Sequence, residues 1–198
     1  RGPCAQPDFW CLKARELTAL TRSGELSALE VTQNAVDRMH QANPDLNAVV
    51  GDLSTEALER ARELDTAVAD GAPAGPLHGV PVTIKINVDQ KGHATSNGVV
   101  ALKDLIAPED APVVRNLKAA GAVVIGRTNT PEFSFRADTD NPLYGRTHNP
   151  WGRPLSAGGS SGGAVSAGMS GPGALAPGHA PGVSLAVPTS GKGGAAGE

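Results

Sequence analysis

Between Gly79 and Val88 the apolar residues alternate, with Val82, Ile84 and Ile86 on one side and Thr83, Lys85 and Asn87 on the other. A period of two is that of a β-strand, and it sets Lys85 on the strand's polar side. The chain before this point has another period. Leu17 and Leu20, then Val31, Ala35 and Met39, recur at helical spacing, which predicts two helices within residues 14–42 parted by Gly24. Ser27 with Glu30 three positions on forms a capping box for the second helix, and Asn43-Pro44 is expected to end it. A third helix is predicted from Thr55 to Ala69, with Glu56 in its first turn and an apolar face of Ala57, Leu58, Ala61 and Leu64. Residues 71–76 then read as a loop.

Beyond the strand, Asp110 to Ala120 reads as a short helix with Asp110 as its cap and Pro112 in its first turn. Gly121 closes it, and the apolar run Ala122 to Ile125 is expected to be a strand. Helix followed by strand implies an α/β domain. Gly126 to Asn149 carries turn residues and few apolar repeats, so it is expected to be a long ordered loop or several short pieces. From Ser156 the chain is rich in glycine and serine. It leads into Ala164, Val165, Ala167, Gly168 and Met169, a run of small residues compatible with a closely packed helix.

The bulk numbers exclude several classes of partner. At 198 residues the chain is long enough for one domain or part of one. Its formal charge is -3 and its 17 basic residues are scattered, so it has no nucleic-acid footprint and is expected to meet a neutral or small-molecule partner. With 25 glycines, 16 prolines and 3% aromatics, it has many loops and few large core anchors. No apolar run reaches the roughly 18 to 20 residues that span a bilayer, and the start Arg1-Gly2-Pro3-Cys4 lacks the apolar segment of a secretory signal. A soluble cytoplasmic protein without a membrane partner is therefore expected. Cys4 and Cys11 read as free thiols, and no spacing suggests a metal site. The first residue is not Met and the chain ends in small residues, so a processed or partial chain is expected.

Three polar features are candidates for chemistry: Lys85, the loop Gly158-Gly159-Ser160-Ser161-Gly162-Gly163, and Ser184. Singly, each has a plain structural reading, as a solvated lysine, a flexible linker and an ordinary loop serine. A phosphate cradle is a poor reading, because the Lys-Ser/Thr pair that a P-loop needs after its last glycine is missing. The linker reading conflicts with the packed helix expected to follow. A serine at the mouth of that helix would sit where backbone N–H groups favour developing negative charge.

Gly79-Val80-Pro81-Val82-Thr83-Ile84-Lys85-Ile86-Asn87, continued by Lys91-Gly92 with Thr95 and Ser96, resembles the lysine strand of the amidase signature family. Gly126-Arg127-Thr128-Asn129-Thr130-Pro131-Glu132-Phe133 and the stretch Asn141 to Trp151 resemble the segments that precede the signature, and Gly158 to Gly163 matches its core. The intervals from Lys85 to Ser160 and from Ser160 to Ser184 agree with those the family uses.

The resemblance implies an α/β fold with a mixed sheet flanked by helices. The chain would be the N-terminal part of a single amidase domain, with a helical segment at 10–70, the lysine strand to the nucleophile region at 77–190, and an unmatched tail at 191–198. It implies hydrolysis of a carboxamide, with Ser184 as nucleophile, Ser160 as a bridging serine on a cis peptide bond, and Lys85 as the ultimate base. Lys85 would be kept neutral by burial against Val82, Ile84 and Ile86. Gly182 and Val183 would belong to the oxyanion and nucleophile loop, and Gly158, Gly159, Ser161, Gly162 and Gly163 would support the bridging serine. No metal or organic cofactor is implied. The partner is a small-molecule amide, with a homodimer of the full-length parent left open.

The nucleophile segment departs from the family, which has Gly-Thr-Asp, one residue, Gly-Gly-Ser, one residue and Arg. Here His179, Ala180, Val183 and Ala186 replace the threonine, aspartate, second glycine and arginine. Pro181 has no N–H to lend an oxyanion hole, and Val183 takes a glycine's place poorly where positive φ is needed. Little turnover is expected of this chain, whose family members are more than twice as long. Two alternatives stand beside the amidase: the glutaminase subunit of a glutamyl-tRNA amidotransferase complex, and a non-catalytic fragment or pseudoenzyme. His179 is not needed as a base, since Ser160 and Lys85 fill that role, and His78, His93 and His148 read as loop or strand-end residues.

Overall fold

A computed structural model describes Phe9 and residues 12–170. Among these, five helices and three strands succeed one another as α1 (Ala14–Ser23), α2 (Ala28–Leu46), β1 (Val49–Asp52), α3 (Ser54–Ala69), β2 (Pro81–Lys85), α4 (Pro112–Ala119), β3 (Val123–Thr128) and α5 (Gly162–Ser170). β3 is the middle strand of a mixed sheet, parallel to β2 and antiparallel to β1. The register sets Ile84 opposite Arg127 and Lys85 opposite Thr128. Lys85 is therefore the last residue of its strand, at the carboxyl end of a parallel pair, where α/β sheets open their crevices.

Successive residues of β3 feed two apolar clusters. Val123 and Ile125 join Met39 of α2, Ala61 of α3 and Ala167 of α5. Val124 joins Val82 and Ile84 of β2 with Leu17 of α1 and Val114 of α4. With both faces covered, every residue of β2 is buried. The polar side expected for Lys85 is therefore not a solvated one. Nor do Val82 and Ile84 shield it, because period two turns them to the other face. Its shield is α5 and the loop that enters it.

The capping box forms as expected, Ser27 Oγ accepting from Glu30 N at 3.0 Å and Ser27 N donating to Glu30 Oε2 at 2.9 Å. A long-range cap joins it: the Asp65 carboxylate of α3 accepts from Ala28 N at 2.7 Å and Leu29 N at 2.9 Å. Three expectations need correction, and one strand adds to those expected. α2 does not stop at Asn43-Pro44 but runs to Leu46, where Asn47 turns left-handed at φ 48° and its N–H returns to Asn43 O at 2.8 Å. Pro44 is tolerated because it lies in the last turn, next to the exit that Asn43 ties by accepting from Ala48 N and Val49 N. β1 was not foreseen; Ala48-Val49-Val50 was its only, short signal. Asp110 does not cap α4, since its carboxylate accepts instead from Lys91 N and Lys118 Nζ, both at 2.8 Å. β3 does not end at Ile125 but runs on through Thr128, so the stretch from Gly126, expected as a long loop or several short pieces, begins as strand and then holds a short 3-10 turn at Glu132–Ser134.

Candidate active site

The loop entering α5 crosses the end of β2 and brings Ser160 and Ser161 onto Lys85. Lys85 Nζ donates to Ser160 Oγ at 2.9 Å and to Ser161 Oγ at 3.3 Å. The lysine is 0% exposed. No ion pair involves it among the described residues. An ammonium here is a buried charge without a counter-ion, and burial alone draws its pKa from 10.5 down to about 8. Roughly a tenth of the molecules then hold a free amine at pH 7, far more than for a solvated lysine.

The glycines of the loop are there for close approach, not slack. The peptide between Gly159 and Ser160 is cis. A Cβ on Gly159 would lie 2.7 Å from the carbonyl carbon of Ala137 and 2.8 Å from Asp138 N, and one on Gly163 would lie 2.6 Å from Asn129 O and 2.8 Å from Ala48 O. Side-chain hydroxyls close the loop from outside. Thr139 Oγ1 donates to Gly158 O at 2.8 Å and accepts from Gly162 N at 3.1 Å, so one hydroxyl joins both arms. Gly158 N donates to Ser156 Oγ at 2.9 Å, and that hydroxyl donates to Asp138 Oδ1 at 2.6 Å.

Thr130, Thr139, Asn129 and Asn141 were not singled out from sequence. Asn129 Nδ2 donates to Gly145 O at 3.0 Å and Thr147 Oγ1 at 3.1 Å, while its Oδ1 accepts from Thr130 N at 3.0 Å and Asn141 Nδ2 at 2.8 Å. All four lie between Gly126 and Asn149, a stretch enriched in Thr and Asn, and all but Thr139 fall in segments that carry the family resemblance without a role assigned to them. The nucleophile candidate Ser184, its loop residues Gly182 and Val183, His179, and Cys4 and Cys11 lie outside the described residues. His40 and His93 pair with the surface carboxylates Asp52 and Glu56. Among the described residues no cluster of His, Cys, Asp and Glu could hold a metal, and no helix is long and apolar enough to cross a membrane. A cavity of about 290 Å³ between α3 and α4, walled by Glu56, Arg60, Gln90, Lys118 and Val124, does not reach the lysine.

What the arrangement can do is hold an amine and a serine hydroxyl in contact away from water. Similarity to known proteins is consistent with that chemistry. The Amidase family model matches residues 30–193. An indoleacetamide hydrolase of Bradyrhizobium diazoefficiens is 54% identical over 194 residues, 92% of this chain and 37% of its own. A glutamyl-tRNA(Gln) amidotransferase subunit from Salinispora tropica is 41% identical over 81% of this chain and 33% of its own. Among solved structures, fatty acid amide hydrolase superimposes with a TM-score of 0.89 at 31% identity, over 93% of this chain and 33% of its own. The chain thus spans about a third of the length of the proteins it matches.

Proposed function

The chain belongs to the amidase family, the amidase signature enzymes, and from that membership we propose that its protein cleaves the C–N bond of a carboxamide, giving a carboxylate and ammonia or an amine. The observation that carries the reading is the contact of 2.9 Å between Lys85 Nζ and Ser160 Oγ, made where burial favours the free amine.

In this reading Ser184 Oγ attacks the amide carbonyl carbon. Its proton passes to Ser160 Oγ, whose own proton passes to the Lys85 amine. When the tetrahedral intermediate collapses the C–N bond breaks, and the protons return along the same path to the leaving nitrogen. Water then attacks the acyl ester on Ser184, releasing the carboxylate and restoring the serine. Backbone N–H groups about Gly182 and Val183 would stabilise the oxyanion. Pro181 has no N–H to add, and loss of one such donor costs roughly a hundred- to a thousandfold in rate, so turnover by the 198-residue chain is expected to be slow.

Identity of 54% to an indoleacetamide hydrolase makes indoleacetamide the first substrate to try. A second reading, the glutaminase subunit of a glutamyl-tRNA(Gln) amidotransferase, is favoured by the relative at 41% identity. The two separate on one assay. Ammonia released from indoleacetamide by the isolated protein, and abolished by Lys85→Ala, supports the first. Release from glutamine only in the presence of partner subunits supports the second. Release from indoleacetamide that survives Lys85→Ala removes Lys85 from the chemistry.

A further inference from the structure

We propose that Thr130 and Ser134 are positioning residues for Ser160, the last members of a directed hydrogen-bond chain that starts at Asn87 and ends on the Ser160 carbonyl. The inference rests on the reading of Lys85 and Ser160 as base and relay. Asn87 Nδ2 lies 3.2 Å from Ser134 Oγ, Ser134 Oγ lies 3.0 Å from Thr130 Oγ1, and Thr130 Oγ1 lies 3.1 Å from Ser160 O. The direction follows from counting protons. A carbonyl only accepts, so the single Thr130 hydroxyl proton goes to Ser160 O. Thr130 Oγ1 must then accept the Ser134 proton, and Ser134 Oγ accepts from the Asn87 amide. Turning that amide over would set two acceptors against each other, so the chain has one consistent sense.

The backbone around Ser134 is bent to make this chain. Phe133 and Ser134 both adopt left-handed conformations, φ 49° and 62°, uncommon for residues other than glycine and rarer still in succession. The turn is held by Phe133 N to Asn97 O at 3.0 Å and Ser134 N to Pro131 O at 2.9 Å. Burial of its aromatic neighbours does not account for it, since Phe133 is 54% and Phe135 90% exposed. What the turn does deliver inward is the Ser134 hydroxyl. Asn87 stands two residues after Lys85, so the end of β2 and the turn that leaves it grip Ser160 twice. Lys85 holds the hydroxyl directly, and Asn87 holds the carbonyl through Ser134 and Thr130. Fixing both atoms of one residue keeps the loop closed over the lysine and the hydroxyl aimed at Nζ.

The test is a 15N NMR titration of the Lys85 side-chain nitrogen in the 198-residue chain, beside circular dichroism to establish folding. The wild type is expected to titrate near the value of about 8 that burial sets. Thr130→Val, which keeps the shape and removes the hydroxyl, takes away the Thr130 bond to the Ser160 carbonyl, loosens the loop over the lysine so that water reaches it, and is expected to raise the midpoint by about one pH unit. Thr130→Ser, which keeps the hydroxyl, restores it. An unmoved midpoint in folded Thr130→Val overturns the positioning role while leaving the base assignment intact. A wild-type midpoint at the ordinary 10.5 overturns the base assignment and the positioning role with it. Should the valine variant not fold, Ser134→Ala takes its place: a smaller rise in the same direction supports the proposal, and no rise overturns it.

Discussion

Lys85 Nζ donates to Ser160 Oγ at 2.9 Å from the fully buried end of a parallel strand, and no carboxylate pairs with it among the described residues. A lysine placed for stability would snorkel to water or meet a counter-ion. This one does neither, and the predictions that follow measure what that placement costs and what it provides.

Stability should carry the signature of the buried amine. The folded-state pKa of about 8 lies below the ordinary 10.5, so between these values the unfolded chain binds more protons and stability rises with pH. The cost of Lys85 is complete below pH 8 and gone above 10.5. Stability measured relative to Lys85→Met, which cannot titrate, is expected to climb by about 3 kcal/mol across that window. Urea unfolding at a series of pH values checks this, and a flat difference contradicts it.

The same ionisation sets the pH dependence of the chemistry. The competent form has the free amine, so the rate of acylation is expected to rise about tenfold per pH unit below pH 8 and to level off above it. A single-turnover pH profile reads this directly, and a profile flat through pH 8 argues against Lys85 as base.

Gly159 should not tolerate a methyl group. A Cβ there meets the backbone of Ala137 and Asp138 at 2.7 and 2.8 Å, atoms that cannot rotate aside. Gly159→Ala is expected to destabilise the chain by about 1 to 3 kcal/mol and to part Ser160 from Lys85. Gly168, whose Cβ would meet nothing within 4 Å among the described residues, supplies the control, and Gly168→Ala is expected to be neutral or stabilising.

The Asp65 carboxylate caps α2 from outside, through Ala28 N and Leu29 N. Asp65→Ala is expected to cost about 1 kcal/mol, as loss of an N-cap does, although Ser27 and Glu30 remain in place. Thermal unfolding of Asp65→Ala against Ser27→Ala separates the two caps.

Where a feature is local and periodic, the sequence made it legible. The capping box at Ser27 and Glu30, the third helix and the strand carrying Lys85 all follow from spacing within a few residues. Lys85 and the glycine-serine loop could be paired only through a family resemblance, because their contact joins residues 75 positions apart and leaves no local period. The Thr130, Asn129 and Asn141 network escaped for the same reason, as did Asp65, whose bonds run to another helix. The continuation of α2 past Pro44 escaped for another: proline is a strong stop signal, but in a last turn secured by Asn43 and Asn47 it removes little. The packing of α5 and the loop that enters it onto the end of β2 explains why the polar side of that strand is not a wet one. Alternation marks two sides of a strand, and it does not say that one of them faces water.

The most direct test of the central claim is labelling of Ser184 by a fluorophosphonate, located by mass spectrometry, in the wild type and in Lys85→Ala. If Lys85 draws the proton from the serine pair, the wild type is labelled at Ser184, the rate rises through pH 8, and Lys85→Ala slows it by at least about a hundredfold. Labelling at equal rates in the two proteins, or no labelling of folded wild type at any pH, contradicts the account.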